Sequence, residues 1–248
     1  SILRLFGEEG GAEVLGAAWP RVHEDVRMRM MNTRKIYFAS ANVMPTLPLV
    51  WGLLRSWCEA DEELRATYEW KEPLLHVNEI DEYVEAMEDP SVLGLSCYMW
   101  NFTGHMALCK LVKARFPGCL TVAGGPHIPQ ENVREFMAEH PYVDVLVHYE
   151  GETPFRRILR ALLHGSPLDD ITGLTLRRPD GTVTRTGHFV SDLPRRQIPD
   201  AVLPSPYLRG YFDSLVNDKW RDDPMVMAVW ETSRGCPYAC TFCEWGDS

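Results

Sequence analysis

Three cysteines stand near the end of the chain, at Cys236, Cys240 and Cys243, in the stretch E-T-S-R-G-C-P-Y-A-C-T-F-C-E-W-G-D-S that runs from Glu231 to Ser248. Their spacing is C-x₃-C-x₂-C. Thiolates are soft ligands that select iron–sulfur clusters and zinc. Three on one short loop can hold three irons of a cubane cluster, whereas clusters with a full protein shell usually take four cysteines. The remaining iron is then open, and an open coordination position is where a metal does chemistry. Three cysteines with a remote histidine can instead build a structural zinc site. Gly235 and Pro237 permit a tight loop, and the apolar run Met225 to Val229 reads as the strand that feeds it.

With its glycine–cysteine–proline lead-in and an aromatic residue, Phe242, before the third cysteine, this loop resembles the signature of the radical S-adenosylmethionine (SAM) superfamily. The resemblance implies a 4Fe–4S cluster on Cys236, Cys240 and Cys243. It also implies SAM chelating the open iron and being reduced to methionine and a 5′-deoxyadenosyl radical. Tyr238, Phe242, Trp245 and Gly246 are then the expected SAM contacts, with the Phe242 ring against the adenine.

Composition narrows the setting. A formal charge of -10 argues against broad nucleic-acid binding, which needs a basic surface. No apolar run reaches the roughly eighteen residues of a transmembrane helix, and the first residues are too short in apolar length for a secretory signal. Seven cysteines, an odd number with three clustered, point to a reducing compartment and a cytoplasmic protein. Cys58, Cys97, Cys109 and Cys119 fall in apolar helix or strand patterns and read as small buried hydrophobes.

The elements that must position the chemistry begin after a polar extension, residues 1–34. Strands are expected near Lys35–Ser40, Ala66–Trp70, Val92–Ser96, Leu120–Ala123 and Val143–His148. Helices are expected over Pro45–Ala60, after a cap at Asn78, after a cap at Thr103, near Val133–Met137, and from Thr153–Pro154 to Gly165. Such alternation with short connections gives parallel strands with right-handed crossovers. The fold class is therefore α/β, a flavodoxin-like (Rossmann-type) doubly wound parallel sheet over residues 35–166. Residues 167–224 read as a hairpin, Gly173–Thr186, and a proline-rich linker laid over the surface from Ser191 to Pro224. Residues 225–248 read as the first strand and cluster loop of a partial (β/α) barrel. A full barrel needs about 200 residues, so a fragment or one of two polypeptides is expected.

Ligands of such a sheet sit at the carboxyl ends of the strands. Those tips hold Asn42 and Val43; Ser96, Tyr98, Trp100 and Asn101; Gly124, Gly125, Pro126 and His127; and Glu150 and Gly151. No dinucleotide or Walker glycine pattern follows the first strand. From Lys35 onward the chain resembles the cobalamin-dependent radical SAM enzymes, in which a cobalamin-binding domain precedes the cluster loop. The resemblance implies cobalamin contacts from those twelve tip residues, with Ser96, Gly124 and Gly125 lining the slot for the nucleotide tail. It implies methyl transfer from methylcobalamin to an unactivated carbon, through a substrate radical made by the deoxyadenosyl radical. Expected partners are a small-molecule or peptide substrate, the rest of the barrel, and a flavodoxin or ferredoxin donor, with neither nucleic acid nor membrane. The first tip, Ala41-Asn42-Val43-Met44-Pro45, lacks the D-x-H-x-x-G histidine of many cobalamin domains. A lower cobalt face capped by Trp100 or water is therefore expected. Other readings are a radical SAM cyclase, a ring-contraction enzyme or a methylthiotransferase, and, outside catalysis, a corrinoid-carrying or zinc-stabilised module.

Overall fold

The computed structural model describes residues 33–187, 203–231 and 241. One seven-stranded sheet organises them, in the order β2-β1-β3-β4-β5-β6-β7. Strands β1 (Arg34–Ala39), β2 (Tyr68–Trp70), β3 (Pro90–Ser96), β4 (Leu120–Gly124) and β5 (Val145–Val147) are parallel. Strands β6 (Leu174–Arg177) and β7 (Val183–Arg185) are the expected hairpin, and they extend the sheet antiparallel beyond β5. The helices are α1 (Leu49–Glu59), α2 (Glu62–Thr67), α3 (Ile80–Glu85), α4 (Phe102–Arg115), α5 (Val133–Glu139) and α6 (Glu152–His164).

Both faces of the sheet are covered, which is why its central strands are unbroken apolar runs. Along β1, Ile36 and Phe38 face the core shared with α1 and α6, while Tyr37 and Ala39 face the one shared with α4. Gly94 in β3 is a packing glycine, since a Cβ there would lie 2.4 Å from the Phe38 ring.

Several local expectations change. Helix α1 begins after Pro48 rather than at Pro45. The intervening loop is held extended by pairing with Met227, and a residue preceding a proline is pushed away from the helical region. Helix α2 was not expected, although its signal is present. Asp61 accepts from the backbone N–H groups of Glu63 and Leu64 at 3.1 and 3.4 Å, and two glutamates follow it in the first turn. Asn78 caps nothing and lies in a 3₁₀ turn, Val77–Glu79. Helices α4 and α6 start one residue before Thr103 and Thr153. Gly165 ends α6 with φ +66, as a left-handed cap.

The expected surface linker is corrected as well. Within residues 203–231, Phe212, Leu215 and Trp220 are buried in the α1–α6 core. Phe212 packs its ring 6.1 Å from that of Trp51, and Tyr211 Oη donates to Glu59 at 2.6 Å. Arg55 lies 4.1 Å over the Tyr211 ring and pairs with Glu59. Gly52 makes room, because a Cβ there would sit 2.5 Å from Phe212. Prolines hid this segment from periodicity arguments, since its apolar residues follow neither a helical nor a strand repeat. None of the described helices is long and apolar enough to cross a membrane.

Candidate functional site at the strand tips

The sheet reverses its winding between β1 and β3, and hydrogen bonds show how the crevice opens there. Beyond its last paired residue, β1 follows β2: Ser40 N donates to Leu74 O and Asn42 N to Leu75 O, both at 3.0 Å. Beyond Ser96, β3 turns the other way, toward β4. Cys97 N donates to Gly124 O at 2.7 Å, and His127 N donates to Cys97 O at 3.1 Å. The two tips diverge and leave a cleft of about 270 Å³.

Of the residues singled out in the sequence, Asn42, Val43, Trp100 and Asn101 line this cleft, joined by Ala41 and by His76, Val77 and Asn78. The last three went unseen because only the pairing of Leu74 and Leu75 with the β1 tip brings them there. The β1 tip carries no histidine, and His76 brings an imidazole to the cleft lining from the β2–α3 connection. Trp100 is held by Tyr98, whose ring stacks on it at 4.7 Å and 15°. Burial raises the Tyr98 pKa against a hydrogen bond from Ser96. Ser96 is itself buried at the end of β3.

The β4 and β5 tips share this edge of the sheet and lie outside the cleft lining. Gly125 has φ +105, and a Cβ on it would meet Cys97 O at 2.6 Å, so backbone crowding alone demands glycine. Gly124 differs, because a Cβ there would make only an ordinary 3.5 Å contact with Val147 O. Pro126 and His127 are exposed, and the His127 ring packs 4.7 Å from Phe102. Gly151 caps α6, next to Glu150.

The path toward the cysteine run passes the same loop. Met227 N donates to Pro45 O and Leu47 N donates to Met227 O, both at 2.9 Å, a parallel bridge to the end of the β1–α1 loop. Tyr207 Oη donates to Val229 O at 2.5 Å. Cys236, Tyr238, Cys240, Phe242, Cys243, Trp245 and Gly246 lie outside the described residues. Cys58, Cys97, Cys109 and Cys119 are all buried. Burial pushes the thiols of Cys109 and Cys119 up to about 12 and those of Cys58 and Cys97 well above the usual range. They are packing residues rather than ligands in waiting.

Residues 70–159 match the B12 binding domain family. The chain is 46% identical over 216 residues to a 2-(S-pantetheinyl)-carbapenam-3-carboxylate methyltransferase of Streptantibioticus cattleyicolor, covering 87% of this chain and 31% of that protein. It is 45% identical, with the same coverage, to the cobalamin-dependent radical SAM methyltransferase TokK of Streptomyces tokunonensis. The chain thus spans about three tenths of the length of these curated relatives. In fold it follows the cobalamin-dependent SAM radical enzyme OxsB, solved with aqua-cobalamin and SAM bound, with a TM-score of 0.60 at 20% identity over 90% of this chain and 29% of that one. A B12 binding domain with a switch-point cleft at its carboxyl edge, joined to this kinship, means that the chain belongs to the cobalamin-dependent radical SAM enzymes.

Proposed function

We propose that the whole protein is a cobalamin-dependent radical SAM methyltransferase that methylates an unactivated carbon. The observation that carries this reading is the double use of the β1–α1 loop. Ala41, Asn42 and Val43 line the cleft, and Pro45 and Leu47 pair with Met227, nine residues before the first cysteine of the run. Cofactor cleft and cluster lead-in thus meet on one short segment, and radical methyl transfer needs its reacting groups held in register.

The residues of the cleft fit cobalamin. Val43, Val77 and Trp100 stand exposed around it at 79%, 45% and 51%. Apolar groups gathered in water beside a concave site are what a broad, flat macrocycle would cover. Asn42 and Asn78 offer amides to its polar fringe, and Trp100, braced by Tyr98, offers a rigid face. Cobalamin bound there supplies a transferable methyl group. The protein's own part is to hold the ring's orientation and exclude water. Cys236, Cys240 and Cys243 would bind the cluster, and Tyr238, Phe242, Trp245 and Gly246 would contact SAM. A flavodoxin or ferredoxin would deliver electrons.

The relative from S. cattleyicolor is named for a carbapenam carboxylate carrying a thioether arm, and that chemical class is the first substrate to assay. The test is anaerobic turnover of the complete enzyme with methyl-deuterated SAM. A product heavier by a deuterated methyl group, formed together with 5′-deoxyadenosine, is expected. Deoxyadenosine with an unmethylated, cyclised or rearranged product would replace methyl transfer by another radical reaction.

A further inference from the structure

At the base of the cleft, where β1 and β3 part, each strand has lost its neighbour. The last β1–β3 pair is Ala39 with Leu95. Two residues on, Ala41 still carries a backbone N–H and C=O and is 2% exposed. Groups buried in this way need partners, and no strand remains to supply them on the β3 side.

Side chains of the β3–α4 segment supply them instead. Asn101 Nδ2 donates to Ala41 O at 2.9 Å and to Ser96 O at 3.1 Å, one hydrogen from each amide position. Its Oδ1 accepts from Tyr98 N at 2.8 Å, which fixes the amide's orientation. One helical turn later, His105 Nε2 accepts from Ala41 N at 3.3 Å. His105 N in turn donates to Asn101 O at 2.9 Å, so the two residues belong to one rigid turn. His105 is fully buried and Asn101 is 2% exposed. Burial depresses the imidazole to about 4, which keeps it neutral and able to accept at ordinary pH.

We infer that Asn101 and His105 are positioning residues of the cobalamin cleft: together they stand in for the missing strand at the switch point and fix Ala41, from which the lining residues Asn42 and Val43 project. The inference deepens the proposed function, because it takes the cleft as the cobalamin site. It also reassigns Asn101. That residue lines the cleft, yet its amide is engaged by the protein and acts on the cofactor through Ala41. A purely structural role could be met by an apolar pair at the same depth, since replacing both partners of a buried hydrogen bond is often close to neutral. Here the partner is a backbone unit that no substitution removes. Losing the side chain therefore leaves the Ala41 peptide unsatisfied at the floor of the site.

The experiment compares His105→Gln, whose side-chain oxygen can reach the Nε2 position, with His105→Leu, which cannot accept. Cobalamin is titrated into the purified protein and followed by visible absorption. Backbone amide exchange is measured in parallel, without cofactor, across Ala39–Met44 and across the α6 core. Binding about tenfold weaker, equivalent to about 1.4 kcal/mol, is expected for the leucine variant. Exchange should be faster at Ala39–Met44 and unchanged in α6. The glutamine variant should restore both readouts to within about threefold of the parent. Should the leucine variant fail to fold, Asn101→Ser decides, because serine is too short to reach both carbonyls at once. Parent-like affinity and exchange in the deciding variant, His105→Leu or Asn101→Ser, overturn the inference. Failure of the parent protein to take up cobalamin would defeat the cofactor reading instead, and the exchange readout would still judge the clasp.

Discussion

The two ends of the β1–α1 loop are held in different ways. At Ala41 the chain is buried, and each polar group meets a fixed side chain on α4 or its cap. At Pro45–Leu47 it is tied to Met227 by two backbone hydrogen bonds, and Met227 itself is 43% exposed. Behind that second tie stands aromatic docking of residues 203–231 on α1, with Phe212, Trp51 and Tyr211 at its centre. The cleft end of the loop is thus set by buried polar specificity, and the end toward the cysteine run by apolar docking. Buried polar networks fix one geometry, whereas apolar docking tolerates small displacement.

The largest effect should separate the two ends outright. Changing Cys236, Cys240 and Cys243 together to alanine in the complete enzyme should abolish deoxyadenosine formation and iron loading. Cobalamin affinity should stay within about twofold, because the cleft lies on other elements. Iron and deoxyadenosine that persist in this variant would defeat the cluster assignment. Equal loss of cobalamin would show that the two sites are one folding unit.

Next in size is Phe212→Ala. Removing a buried ring should destabilise the docking of residues 203–231 by about 3–5 kcal/mol. Limited proteolysis should then cut that segment first, with cobalamin titration unchanged. Parent-like resistance would mean that Trp220 and Leu215 suffice to hold it.

A pair of glycines sharpens the cofactor side. Gly125→Ala places a Cβ at 2.6 Å from Cys97 O in a left-handed backbone, and about 2 kcal/mol of stability should be lost in denaturant unfolding. Gly124→Ala meets only ordinary contacts and should unfold within about 0.5–1 kcal/mol of the parent. If Gly124→Ala nevertheless weakens cobalamin binding, the glycine at that tip serves the ligand. If it does not, both glycines serve the sheet.

Acid should act through two buried histidines, of which His105 belongs to the Ala41 end. Burial depresses His105 to about 4, and burial with the Arg185 charge nearby does the same to His148. Both fall below the ordinary value near 6.5, so the unfolded chain takes up these protons first. The stability they contribute is complete above about pH 6.5 and is lost as pH falls through 4, with a slope approaching 1.4 kcal/mol per pH unit for each histidine. Denaturant unfolding at pH 7 and pH 5 should show the decline. His105→Gln and His148→Gln should each flatten it, and an unaltered slope in both would refute the assignment.

Much of the architecture is legible in the sequence, because alternating apolar runs and caps are local signals. The five parallel strands, the hairpin and most helices follow from such runs, and Asp61 shows that even the missed α2 was announced by its cap. What could not be read depends on distant pairing. His76–Asn78 reach the cleft through the bonding of Leu74 and Leu75 to β1, and Asn101 and His105 find Ala41 across some sixty residues. Asn101 lines the cleft, while its amide is bonded to Ala41 O, Ser96 O and Tyr98 N. Phe212 and Trp220 were hidden because an irregular, proline-rich stretch can bury aromatic rings without showing a period.

The smallest effect concerns the cobalt's lower face, for which Trp100 and His76 are the two candidates in the cleft lining. The β1 tip offers no histidine, and Trp100, stacked on Tyr98, presents a flat non-ligating surface to the cleft. His76 lines that same cleft and is the nitrogen that could compete. A ring braced by its neighbour holds its face without a ligand bond. Bound cobalamin is therefore expected to show a base-off Co(II) electron paramagnetic resonance spectrum without axial nitrogen splitting. His76→Ala should leave that spectrum unchanged, and Trp100→Ala should alter the cobalt hyperfine pattern slightly as water reaches the metal. A three-line nitrogen splitting that vanishes in His76→Ala would transfer the role to His76. A splitting that survives His76→Ala would place the nitrogen elsewhere, and an unchanged spectrum in Trp100→Ala would remove Trp100 alone.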